Sequence, residues 1–143
     1  MKKITIRCAK PEDYIKFYKL HKRFAYLESN SIRGAVIDEP TFSEYVEREC
    51  LFVVIDETNQ FVGYAFVNAY TDATCEIQEI FVAPEHQRKG YGEMLVQHIK
   101  NVAKAEGIKK ISVFSIFIQT DRFWMLKCNF RPEENEALSY VIK

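Results

Sequence analysis

Residues 76–107 open with Glu76-Ile77-Gln78-Glu79-Ile80-Phe81-Val82, pass through Ala83-Pro84-Glu85-His86-Gln87-Arg88-Lys89-Gly90-Tyr91-Gly92, and run on to Gly107. The first seven residues are rich in β-branched and aromatic side chains, the composition of a strand, and Pro84 halts it. Beyond the two glycines, Met94, Leu95, Ile99, Val102 and Ala103 recur at helical spacing. Gly107 then suits a left-handed helix cap. The stretch predicts strand, glycine loop and helix in that order.

A helix N-terminus presents unpaired N–H groups and a partial positive charge, which together favour an anion such as phosphate. Gly90 and Gly92 let the backbone approach such a group with no side chain in the way. Arg88 and Lys89 add charge at the mouth. The stretch therefore reads as an anion cradle. Two familiar phosphate loops do not fit its spacing. A P-loop requires Gly-Lys followed by Ser or Thr, whereas Tyr91 follows Gly90. A dinucleotide fingerprint requires a third glycine where Leu95 stands, and no acidic residue closes the next apolar run.

The hexapeptide from Gln87 to Gly92, with Ile80-Phe81-Val82-Ala83-Pro84 before it and the helix behind, resembles the Gln/Arg-x-x-Gly-x-Gly/Ala motif of the GNAT family of N-acetyltransferases. The resemblance implies that Gln87, Arg88, Lys89, Gly90, Tyr91 and Gly92 hold the pyrophosphate of acetyl-coenzyme A (acetyl-CoA). It also implies that the sheet splays after this strand, and that backbone at Ile80, Phe81 and Val82 pairs there with the pantetheine arm.

The rest of the chain supplies elements in the same family's order. Ile4-Thr5-Ile6-Arg7-Cys8 alternates as a half-buried strand does. Pro11, followed by Glu12 and Asp13, starts a helix whose apolar face is Tyr14, Ile15, Phe17, Tyr18 and Leu20. A polar loop lies between Glu28 and Pro40, after which Thr41 is expected to cap a second helix, with Glu44 completing a capping box. Leu51-Phe52-Val53-Val54-Ile55 and Phe61-Val62-Gly63-Tyr64-Ala65-Phe66-Val67 flank a short polar segment and read as a hairpin. Thr71-Asp72-Ala73-Thr74 turns into the Glu76 strand. A fifth strand, Ile111-Ser112-Val113-Phe114-Ser115-Ile116-Phe117, follows the helix and should lie parallel to the Glu76 strand across a right-handed crossover. Thr120-Asp121 opens a last helix through Phe123, Trp124, Leu126 and Lys127 that stops at Asn129, and Ala137-Leu138-Ser139-Tyr140-Val141-Ile142 closes the chain. No repeat or linker divides this order. The expectation is one α+β domain over residues 1–143, with the mixed, mostly antiparallel sheet flanked by helices that the resemblance implies.

A chain of 143 residues fits one domain and can bury a core unaided. Its 20 basic and 20 acidic residues cancel, so no overall charge draws it to nucleic acid or to an anionic membrane, and neither is expected as a partner. Cys8, Cys50, Cys75 and Cys128 stand too far apart for a metal ribbon or redox pair and read as buried free thiols. His21, His86 and His98 form no ligand cluster, and no metal is expected. No charged-then-apolar segment opens the chain, and no apolar run nears the ~20 residues of a membrane span, so a cytoplasmic protein is expected. The family's habit and an aromatic content of 14% suggest a homodimer.

Acetylation of an amine requires a held thioester, a stabilised oxyanion and a neutral amine. A backbone N–H among residues 80–82 would serve the oxyanion. An amine of pKa about 10 is mostly protonated at neutral pH and needs a base. Glu79 and Glu76 lie on the strand that the resemblance sets against the thioester. A carboxylate among apolar neighbours suits that role, and Glu79, next to Ile80, is the first choice. Where many family members carry a proton-donating Tyr, this chain has Met125 beside Trp124, and Asn129-Phe130 replaces the usual Gly-Phe. Tyr140, Ser115 or water remain as donors to the thiolate. Two functions follow. One is an acetyl-CoA-dependent N-acetyltransferase acting on a primary amine of a small molecule or peptide. The other is a non-catalytic acyl-CoA-binding sensor or scaffold. Small metabolites, polyamines, antibiotics and protein N-termini are all open as acceptors.

Overall fold

The computed structural model of the chain describes residues 3–27, 37–69, 73–114, 123–133 and 137–142. Among them the elements run β1 (Thr5–Cys8), α1 (Tyr14–Leu27), α2 (Glu39–Glu47), β2 (Leu51–Ile55), β3 (Phe61–Ala69), β4 (Thr74–Val82), α3 (Tyr91–Ala105), β5 (Lys110–Phe114), β6 (Arg131–Pro132) and β7 (Ala137–Val141). Short 3-10 turns occupy Pro11–Asp13 and Pro84–His86, and one π-helical turn occupies Phe123–Lys127. The strands form a mixed sheet in the order β1-β2-β3-β4-β5-β7-β6. β1 is antiparallel to β2, β4 parallel to β5, and β7 antiparallel to both β5 and β6. The parallel crossover through α3 is as the sequence predicts. The two-residue β6 was not foreseen, because so short a strand carries no periodicity. Ser115, Thr120 and Asp121, and the loop residues 28–36, lie outside the described residues.

The described residues gather into two compact units, Met1–Ala65 with Ile80–Gly92, and Phe66–Glu79 with Glu93–Lys143. In the first, Pro11 opens the turn before α1, and the Asp13 carboxylate accepts from Lys10 N (2.8 Å) and from both arms of Arg7 (2.7 and 3.2 Å). Burial alone would raise the Asp13 pKa, but these hydrogen bonds outweigh it and hold the carboxyl below its usual range. Phe17, Leu20 and His21 form the buried stripe of α1. Phe17 meets Phe42 of α2 and Tyr64 of β3 at ring separations of 5.2 Å each. Truncating so buried a phenylalanine to alanine costs about 3–5 kcal/mol. Two residues of the expected face fall outside it. Ile15 is 69% exposed and Tyr18 37%, because the helical turn of 100° per residue carries them off the Phe17 side. The cap of α2 also differs from expectation. Asp38, not Thr41, is the N-cap, and its carboxylate accepts from Thr41 N at 2.9 Å. Pro40 has no N–H to satisfy and sits inside the first turn. In the β2–β3 hairpin, Asp56 Oδ1 accepts from the backbone of Thr58 and Gln60, and Asn59 takes a left-handed φ of 66°.

In the second unit, β4 joins β5 through the pairs Thr74–Lys110, Cys75–Ile111 and Glu76–Ser112. Leu95, Val96, Ile99 and Ala103 make the buried face of α3, with Val96 taking the place expected of Met94, which is 43% exposed. Gly107, at φ +80°, ends the helix as predicted, and Ile108 N donates to Ala103 O at 2.9 Å. The π-helical turn closes through Cys128 N to Phe123 O (3.1 Å), and Asn129 stops it at φ +67°. The buried Lys100 ammonium donates to Cys128 O and lies 3.7 Å from the Tyr140 ring centroid. All four cysteines are free thiols. Cys75 and Cys128 are buried as expected, whereas Cys8 and Cys50 are only half-buried.

Candidate active site

The predicted anion loop lies in the first unit. Ala83 N donates to Val62 O at 2.9 Å, fixing the end of β4 to β3, and Pro84 then starts a single 3-10 turn. From beyond that turn the Gln87 side chain reaches back, donating from Nε2 to Val82 O at 2.9 Å. Gln87 thus braces the loop against its strand. Arg88 (φ +66°) and Gly90 (φ +81°) are both left-handed and flank Lys89. Such turns bring successive N–H groups to one side, the arrangement that receives anions. A Cβ built on Gly90 would meet no atom within 4 Å, so glycine is required there for its backbone conformation, and the space beside it is open. Arg88 and Lys89 are exposed.

Tyr91 opens α3 and is buried, its ring stacked on His86 at 6.2 Å between centroids. Gly92 is the second residue of a fifteen-residue helix whose first N–H groups have no partner within the helix. These features fit a phosphate-bearing cofactor. Gln87, Arg88, Lys89, Gly90, Tyr91 and Gly92 form one continuous turn into the helix.

At the end of β4, Phe81 is buried and packs on Tyr64 with ring centroids 5.8 Å apart, while Ile80 and Val82 are half-buried. One residue that matters here was not singled out from the sequence. A Cβ on Gly63 of β3 would lie 2.9 Å from Phe81 O, so glycine is what allows β3 to approach the β4 backbone at the expected pantetheine strand. An isolated glycine inside an apolar strand was the available signal.

The candidate bases belong to the second unit. Glu76 and Glu79 are both half-buried on β4. Counting by two along the strand, Glu79 shares the face of the buried Cys75 and Ile77, and Glu76 that of Thr74 and the exposed Gln78. The β4–β5 ladder includes Glu76, and β4 continues six residues beyond it to Val82. Of the candidate acids, Tyr140 has its ring face against the Lys100 ammonium, and Ser115 lies outside the described residues. Trp124 is a core side chain between Phe123 and Phe130, with centroids at 5.0 and 5.1 Å. Met125 is half-buried and carries no proton to give.

The model of the Acetyltransferase (GNAT) family matches residues 14–129. The amino-acid acetyltransferase of Neisseria meningitidis serogroup A is 29% identical over 97 residues, covering 66% of this chain and 22% of that protein. The chain therefore spans less than a quarter of that relative's length. Among solved structures, an N-acetyltransferase from Staphylococcus aureus Mu50 superposes with a TM-score of 0.78 at 18% identity over 99% of each chain. N-acetylglutamate synthase from Neisseria gonorrhoeae, complexed with coenzyme A and N-acetyl-glutamate, superposes with a TM-score of 0.80 at 19% identity over 99% of this chain and 35% of that one. At such identities the likeness to solved structures is one of fold.

Proposed function

The chain belongs to the acetyltransferase (GNAT) family, and we propose that residues 1–143 form one N-acetyltransferase domain that moves an acetyl group from acetyl-CoA to a primary amine of a small molecule or peptide. The observation that carries this reading is the glycine loop. Left-handed Arg88 and Gly90 lead directly into the N-terminus of α3, with open space beside Gly90. An amino-acid acetyltransferase and a coenzyme A complex among the similar proteins support an amine acceptor and this co-substrate.

When bound, acetyl-CoA supplies an acetyl group activated as a thioester. The residues of the chain then have three tasks. The N–H groups from Arg88 to Gly92 and the charges of Arg88 and Lys89 hold the pyrophosphate. The backbone of Ile80, Phe81 and Val82 receives the pantetheine arm and offers an N–H toward the acetyl oxygen, where negative charge grows during transfer. Glu79, directly before Ile80 in the chain, accepts the proton of the ammonium so that a neutral amine attacks, with Glu76 as the other carboxylate of the strand. Since Met125 cannot protonate the sulfur, the CoA sulfur, whose thiol has a pKa of about 8.5, would leave as thiolate and take its proton from water, Tyr140 or Ser115.

The test follows free thiol released from acetyl-CoA across a panel of amino acids, polyamines, aminoglycosides and peptides with free N-termini. Amine-dependent release is expected with at least one class. Tight acetyl-CoA binding with no release above hydrolysis for any of them would overturn the enzymatic reading in favour of a sensor.

A further inference from the structure

Within the first unit, α1, the β2–β3 turn and the Pro84–His86 turn surround an open cavity of about 390 Å³. Lys16, Lys19 and Arg23 line it from one face of α1, Phe61 from the start of β3, and Glu85 and His86 from the turn ahead of the glycine loop. The charges do not balance. Arg23 and Glu85 satisfy each other through two hydrogen bonds of 2.6 and 2.7 Å, which hold the Glu85 carboxyl well below its ordinary range. Lys16 and Lys19 have no carboxylate partner among the described residues. The Lys16 ammonium lies 5.8 Å from the centroid of the Phe61 ring.

Lysines three apart on a helix are neighbours, roughly 5–6 Å between Cβ atoms, so their like charges repel unless an anion comes between them. One carboxylate would neutralise one ammonium, whereas a group or molecule with two negative charges offsets both. The volume exceeds what a bare phosphate fills, and Phe61 offers an apolar wall for a carbon skeleton.

We propose that this cavity is a binding site for a small organic dianion, held by Lys16 and Lys19 against the Phe61 ring and distinct from the glycine loop. Phosphate monoesters and dicarboxylates share the required chemistry, and the site does not depend on the acetyl-CoA reading. The decisive experiment titrates phenyl phosphate, and separately succinate, into the full chain at low ionic strength in excess CoA. Saturable one-site heat is expected from at least one probe, and the probe that gives it identifies the source of the dianion. The Lys16→Gln/Lys19→Gln double variant should bind that probe at least about tenfold more weakly, with CoA affinity unchanged. Both lysines are exposed, so the fold should survive the exchange. No saturable heat from either probe, or equal affinity in the double variant, would overturn the proposal.

Discussion

Glu76 and Glu79 show how much three positions along a strand can decide. Their odd spacing on β4 sends the side chains to opposite faces, with Glu79 on the side of Cys75 and Ile77. If Glu79 takes the amine proton, Glu79→Gln should keep CoA affinity, since the backbone is untouched, and lower kcat by about 10²–10⁴ at neutral pH. The deficit should shrink as pH rises and free amine becomes abundant. Retained activity in Glu79→Gln together with its loss in Glu76→Gln would move the base to Glu76. Thiol reactivity gives a second check at this scale. Burial pushes the Cys75 thiol up to about 11 and the Cys128 thiol up to about 12, so both should resist iodoacetamide at pH 8 in the folded protein and react once it unfolds. Rapid labelling of either in the native state, read by mass spectrometry, would contradict their burial.

Helix α1 carries a polar group that its sequence concealed. His21 stands in the apolar stripe with Phe17 and Leu20, and it is almost fully enclosed. Ile37 N donates to its Nε2 at 3.2 Å, which leaves the proton on Nδ1 to be donated to the Tyr64 hydroxyl at 2.8 Å. The neutral ring thereby joins α1 to β3 and to the residue just before the Asp38 cap. Burial lowers its pKa from 6.5 to about 4. The unfolded state therefore binds the proton more readily, so this contribution is complete above pH 6.5 and declines as pH falls toward 4. The full shift corresponds to about 3 kcal/mol, and roughly 2 kcal/mol should be lost between pH 7 and pH 5. Urea unfolding of wild type and His21→Gln at the two pH values checks this. The variant should lose most of the slope, the remainder coming from His98, whose pKa burial also lowers, and from carboxylates such as Asp13 and Glu85 that are held below their ordinary range. An equal slope in the two proteins would exclude His21 as its source.

At the scale of the whole molecule, the order of elements was legible because each long element announces its own period. β2 is five consecutive apolar residues, α3 repeats at helical spacing, and Gly107 and Asn129 mark the left-handed stops of α3 and of the Phe123–Lys127 turn. Whatever depends on partners distant in sequence was not legible. The exposure of Ile15, Tyr18 and Met94 is set by which side of each helix finds a neighbour, and the role of Gly63 by the carbonyl of Phe81 eighteen positions later. Asp38 as the α2 cap was masked by the equally plausible Thr41 three residues on. The turn from Gln87 to Gly92 into α3 was readable from its glycines and from the helical period behind them. That Gln87 braces it, by donating to Val82 O, follows from the path of the loop and is not announced by residue type. Whether this loop holds acetyl-CoA is tested most directly by calorimetric titration of CoA into wild type and Gly92→Val. The wild type should bind at a single site, and the variant, with its unfolding midpoint preserved, at least about tenfold more weakly, because a branched side chain would crowd the pyrophosphate. A folded Gly92→Val that binds CoA as tightly as wild type would contradict it.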